Sequence, residues 1–148
     1  MLIVLIDQGV KRLVTGNISL GESYPLIPGV LDLSYRRNTG AAFSIMHTAP
    51  PAVMIVISLL VLGIFLWLTF PNLASRGGMA AISLIMGGAL GNLIDRVRLN
   101  YVIDYIDIHV WPVFNVADAA VVIGVCVLGI VLIVSNRSNI KMPTGESL

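Results

Sequence analysis

The stretch VIDYIDIHVWPVFNVAD, residues 102–118, joins two strongly apolar segments and carries Asp104 and Asp118 near its ends. Moving a carboxylate toward hydrocarbon costs several kcal/mol, so acids beside membrane spans are functional-site candidates by default. Two of them at one end of a helix pair can share a proton and activate a water. The chain around them is oily: 57% of its 148 residues are hydrophobic and 11% charged. Soluble domains carry about 25% charged residues, so the composition points to lipid.

Working outward, three segments reach the roughly 20 apolar residues a bilayer span requires. They are residues 51–70 (PAVMIVISLLVLGIFLWLTF), 78–97 (GMAAISLIMGGALGNLIDRV) and 114–135 (FNVADAAVVIGVCVLGIVLIVS), read as the second, third and fourth spans. The first span, roughly residues 1–14, is partial. Only six residues precede Asp7, and six helical residues cover about 9 Å of a hydrocarbon core about 30 Å thick. A truncated or misassigned start explains this better than a signal peptide, which would need a basic leader and a small-residue cleavage site. Residues 15–50 form the longest polar connection. Within it Leu31-Asp32-Leu33-Ser34-Tyr35 alternates as a half-exposed strand does, so a small β element on the membrane surface is expected.

Successive spans alternate in direction, so the connections 15–50 and 98–113 lie on one side of the membrane. Of the eight acidic residues, all except Glu146 fall on that side. The loop count of Lys and Arg, which ordinarily marks the cytoplasmic side, is six there (Lys11, Arg12, Arg36, Arg37, Arg96, Arg98) against three opposite. Taken literally, that count places the acidic face in the cytoplasm.

The net charge of +1 offers no argument for nucleic acid as a partner. Cys126 is the one cysteine; mid-run in Val121–Val134 it reads as a buried, inert thiol. His47 and His109 lack partners at metal-ligand spacing, so no metal or other cofactor is expected. Ser44 and Ser83 have no recognisable base, and no G-x-S-x-G elbow occurs. Asp32, Asp107, Glu22 and His109 read as solvated loop residues. Trp67, Trp111, Tyr101 and Tyr105 read as interfacial anchors. Ser83, Gly87 and Gly91 recur every four residues, the pattern of closely packed membrane helices. Arg96 is expected to pair with Asp95 or Asp7.

Four local patterns carry more specific information: Asp7-Gln8 followed by Lys11; Asn38-Thr39-Gly40-Ala41-Ala42-Phe43-Ser44; Gly87 to Arg96 with Val102-Ile103-Asp104-Tyr105 after it; and Phe114-Asn115-Val116-Ala117-Asp118. In identity and order they resemble the lipoprotein signal peptidases, or signal peptidase II, bacterial aspartic peptidases of the plasma membrane. The resemblance runs from about Ile3 to Val134. It implies an all-α membrane protein, residues 1–148 forming one domain of four transmembrane helices, the first truncated here. A small β cradle and an amphipathic helix would lie at the outer, periplasmic face, against the literal charge count.

The resemblance further implies a monomeric enzyme, in contact with membrane lipid, that cuts the signal peptide from diacylated prolipoproteins and is inhibited by globomycin. Asp104 and Asp118 would be the catalytic dyad, with Asp7, Asn38, Gly40, Asn92, Arg96, Asn115 and Ala117 binding substrate or supporting the site. Two features depart from the family pattern: the short first span, and a hairpin between the aspartates shorter than in many members. The residues alone leave one alternative, a small transporter or channel subunit with an acidic site.

Paired carboxyls suit peptide hydrolysis for a simple reason. Two of them about 3 Å apart cannot both ionise easily, so the pair holds one proton and titrates as a unit. One member takes a proton from water while the other donates to the scissile carbonyl. Asn115 and Asp118, three residues apart, share a helix face; Asn115 either positions the acid or caps the helix.

Overall fold

A computed structural model describes residues 2–39 and 75–140 of the chain. Three helices, α1 (Leu2–Asn17), α2 (Arg76–Leu99) and α3 (Val116–Ile140), support a sheet of β1 (Ser23–Ile27), β2 (Leu31–Asn38) and β3 (Val102–Asp107). The second span, residues 51–70, and Gly40 lie outside the described residues.

Helices α2 and α3 are each long and apolar enough to cross a bilayer. With 24 residues, α2 extends about 36 Å. It begins where Ser75 caps the helix, its side chain accepting from the Gly78 amide at 2.9 Å. It ends at Asn100, whose left-handed backbone (φ 65°) donates back to the Arg96 carbonyl. Asparagine tolerates that conformation, and the reversal leads straight into β3. Helix α1 runs for 16 residues, past the expected end of the first span at 14, and turns Asp7, Lys11 and Val14 inward.

The sheet is antiparallel in the order β1-β2-β3. Its strands come from the two connections expected to share one side of the membrane, and their pairing agrees with that expectation. The strand read at Leu31–Tyr35 is present and continues to Asn38. Strand β3 was not expected. Its first four residues are all buried, because it lies beside β2 and over the helices, so it lacks the alternation that marks a half-exposed strand. After β3 the chain folds back: Phe114 accepts from the Tyr105 and Ile106 amides and donates to the Ile106 carbonyl. That return delivers residue 115 beside β3.

Four side-chain expectations need correcting. Asp32 and Asp107 are not loop residues but register partners in β2 and β3, and His109 lies between them, 3.5 Å and 3.7 Å away. Tyr105 is no interfacial anchor; it joins Val14, Tyr35 and Ile103 in a buried cluster beneath the sheet. Trp111, by contrast, is exposed. Cys126 is exposed rather than buried, since α3 is apolar on all sides and turns only part of its surface to other helices.

The small residues of α2 decide how closely the helices meet. A methyl group on Gly87 would lie 2.9 Å from the Ile3 side chain of α1. One on Gly88 would strike the Ala117 carbonyl oxygen of α3 and come within 2.8 Å of Val121. A rigid backbone atom cannot move aside as a flexible side chain can. Gly88→Ala is therefore expected to lower stability by roughly 1–3 kcal/mol, read as a fall in the unfolding midpoint in detergent. Gly129→Ala, where a methyl meets nothing within 4 Å among the described residues, is expected to be neutral or slightly stabilising.

Candidate active site

The first turn of α3 organises the site. Asn115 is its N-cap: the Asn115 Oδ1 accepts from the Asp118 amide at 2.8 Å, and Asp118 Oδ2 accepts from the Asn115 amide at 3.2 Å. This is a reciprocal capping box, with aspartate in the third helical position. The two intervening amides are taken by side chains from other elements. Val116 donates to the Tyr105 hydroxyl at 3.2 Å, and Ala117 donates to Asp7 Oδ1 at 3.2 Å. Asn115 both caps and positions, because its Nδ2 donates to Asp104 Oδ1 at 2.8 Å and to Asn92 Oδ1 at 3.1 Å.

One asparagine thus touches both aspartates. Asp104, on β3, also accepts from Asn38 Nδ2 of β2 at 2.9 Å. Asp118 also accepts from Asn92 Nδ2 of α2 at 2.7 Å. The Asp104 side is dry: the residue is 3% exposed. Burial pushes its carboxyl up to about 6, assisted by the charge of Asp118 and opposed by the donors Asn38 and Asn115 and the charge of Lys11. Asp118 sits at the positive end of α3, where a negative charge is stabilised.

Lys11, 2% exposed, occupies the centre behind this constellation. Its ammonium contacts Asp7 Oδ2 at 2.7 Å, Asp95 Oδ2 at 2.8 Å and Asn92 Oδ1 at 3.2 Å, using all three of its protons. Asp95 also accepts from Gln8 Nε2 at 2.8 Å and from the Ile103 amide at 3.1 Å, which fixes the start of β3 to α2. Among the described residues, no buried side-chain nitrogen or oxygen lacks a partner. Gly91 makes room for the network, since a methyl there would lie 2.8 Å from Asp7 Oδ2.

Asp7, Asn38, Asn92, Asn115, Ala117, Asp104 and Asp118 are thus brought into one connected set. Arg96 is not: the partner expected for it, Asp95 or Asp7, is held by Lys11 instead. Lys11, Gln8, Asp95 and Tyr105 are the network members to which sequence reasoning gave no place in the site. The signal for Lys11 was present, as it stands four residues after Asp7 on one face of α1.

A model of the signal peptidase (SPase) II family matches residues 1–134. The chain belongs to the signal peptidase II family. It is 45% identical over 130 residues to the lipoprotein signal peptidase of Halothermothrix orenii, covering 86% of this chain and 88% of that one. It is 40% identical over 146 residues to that of Geobacter metallireducens, covering 93% and 90%. Among solved structures it is similar to a bacterial membrane enzyme determined at 2.3 Å by the in meso method. That likeness has a TM-score of 0.77 at 29% identity and covers 99% of this chain and 90% of that one. Signal peptidase II membership makes this a membrane protease of lipoprotein processing, and it displaces the transporter or channel reading.

A buried cation between two carboxylates is a strong constraint on the signal peptidase II network, because removing one partner strands the others. Lys11→Met is expected to cost roughly 3–5 kcal/mol, measured by denaturation in detergent. Adding Asp95→Asn to it should recover part of that loss. A Lys11→Met protein as stable as its parent would show that the network does not organise the helices.

Proposed function

We propose that the whole chain, residues 1–148, acts as one integral-membrane aspartic endopeptidase that removes the signal peptide from diacylated prolipoproteins. Four spans, with residues 51–70 as the second, carry the site at the outer face of the bacterial plasma membrane. The enzyme works as a monomer without a cofactor, and globomycin-type compounds inhibit it. The observation that carries this reading is the shared asparagine: Asp104 and Asp118 come from different elements and both bond to Asn115.

Their surroundings support different tasks. Asp104, buried and raised to about 6, keeps the pair's single proton and donates it toward the scissile carbonyl oxygen. Asp118, at the head of α3, is the ionised member and accepts a proton from the attacking water. Attack gives a tetrahedral diol, and its collapse breaks the C–N bond while a carboxyl proton goes to the leaving amine. Asn38, Asn92 and Asn115 hold the two carboxyls in place throughout. Arg96 and Gly40 complete the substrate cleft. A signal peptide crosses lipid as a helix with its peptide bonds satisfied internally, so it must unwind locally where the sheet meets the helices.

The mechanism is tested by following the mobility shift of a diacylated prolipoprotein with purified enzyme. Asp104→Asn and Asp118→Asn are each expected to abolish cleavage while leaving the unfolding midpoint close to that of the parent. Near-normal turnover by either variant would dismiss the dyad.

The pH dependence carries a definite sign. With Asp118 ionised, the pair is active while Asp104 holds its proton, so kcat/KM should fall as pH rises through about 6. The Asn38 amide donates to Asp104 and thereby favours the ionised form. Asn38→Ala should move this basic limb to higher pH, measured as the kcat/KM profile of parent and variant. A limb displaced to lower pH would reverse the assigned roles.

A further inference from the structure

A polar cavity of about 210 Å³ opens beside Lys11, and neither Asp104 nor Asp118 lines it. Gln8, Arg12 and Thr15 of α1 line one wall, and Arg98 of α2 with Tyr101 line the other. Asp95 forms part of its floor, but both oxygens of that carboxylate are occupied by Lys11, Gln8 and the Ile103 amide. Lys11 likewise spends its three protons on Asp7, Asp95 and Asn92. The cavity's remaining charges are therefore two guanidiniums, Arg12 and Arg98, both exposed and neither in an ion pair among the described residues. Beside them Arg37 stacks over Tyr101, 4.7 Å from its ring centroid, and adds a third positive charge.

We infer that this cavity binds a phosphate group, presented by a phospholipid headgroup. Guanidinium pairs suit phosphate because each offers a planar fork of donors. The volume is below the roughly 300–1,000 Å³ of pockets for drug-sized ligands, which suits a headgroup and excludes a folded peptide. The position supports the lipid source: the cavity lies where α1 and α2 reach the sheet, at the end of a membrane-length helix. One and two turns below it on the same helical stripes are the exposed apolar side chains Leu5 of α1 and Leu90 of α2, a surface for acyl chains. The cavity shares Lys11 and Asp95 with the network behind the aspartates, so an occupant would brace that network without touching the dyad.

Binding is tested on the intact protein in detergent by titrating dihexanoyl-phosphatidylglycerol, dihexanoylglycerol and inorganic phosphate, each followed by thermal shift. The phosphatidylglycerol should bind saturably and raise the midpoint. Its affinity should fall by at least about tenfold in Arg12→Gln/Arg98→Gln, given the loss of two charge-assisted contacts, and should be largely restored in Arg12→Lys/Arg98→Lys. Equal affinity in parent and the glutamine variant overturns the site. An equal response to dihexanoylglycerol overturns the phosphate, and an equal response to inorganic phosphate overturns the lipid source. None of these readouts depends on peptidase activity, so the result stands apart from the fate of the dyad.

Discussion

The first four amides of any helix have no partners within it, and in α3 that turn is buried between two other helices and a sheet. Each unsatisfied amide would cost about 1–3 kcal/mol there, so the turn must recruit acceptors from its surroundings. Four acceptors serve it: the Tyr105 hydroxyl of β3, the Asp7 carboxylate of α1, and, within the turn, the side chains of Asn115 and Asp118. Meeting this local demand fixes where α1 and β3 stand relative to α3. The acidic residues are drawn to the same point for the same reason, since the head of a helix favours negative charge.

Gathering carboxylates at one point creates a second demand, for positive charge. Lys11 meets it by lying between Asp7 and Asp95. A buried ion pair adds little net stability compared with apolar packing, so its value here is geometric. Lys11 also donates to Asn92, and Asn92 to Asp118, so α1 is connected to the α3 carboxylate through α2. The arrangement tolerates little slack, because Gly88 and Gly91 bring α2 close enough for a single methyl group to collide with α3 or Asp7.

Much of this was legible in the chain itself. The third and fourth spans, each two residues from its observed start, the strand at Leu31, and the meeting of the two polar connections all follow from hydropathy, alternation and parity. The capping box was half visible: the spacing of Asn115 and Asp118 permitted either a cap or a positioning role, and the structure uses opposite ends of one amide for both. Strand β3 was hidden because burial on both faces removes alternation. Tyr105 was misread because an amphipathic ring looks the same in sequence whether its hydroxyl meets water or a helix amide. Lys11 was passed over in favour of Arg96 because nearness in sequence to Asp95 is a poor guide on a helix. Adjacent residues point about 100° apart, and Asp95 faces α1 while Arg96 does not.

The lysines and arginines counted on the acidic face have particular places in the structure. The positive-inside tendency concerns lysines and arginines in short loops near the ends of spans. Of the six on this face, Lys11 is buried and more than neutralised by two carboxylates. Arg36 is bonded to Ser23 across the sheet, and Arg37 is stacked on Tyr101. Arg12 and Arg98 border a cavity beside the acidic network. At least five of the six charges thus belong to the architecture of the sheet and helix ends. Lys11 and Arg37 answer to two carboxylates and an aromatic ring, whereas Arg12 and Arg98 are in no ion pair among the described residues, so the six are not equivalent as loop charges.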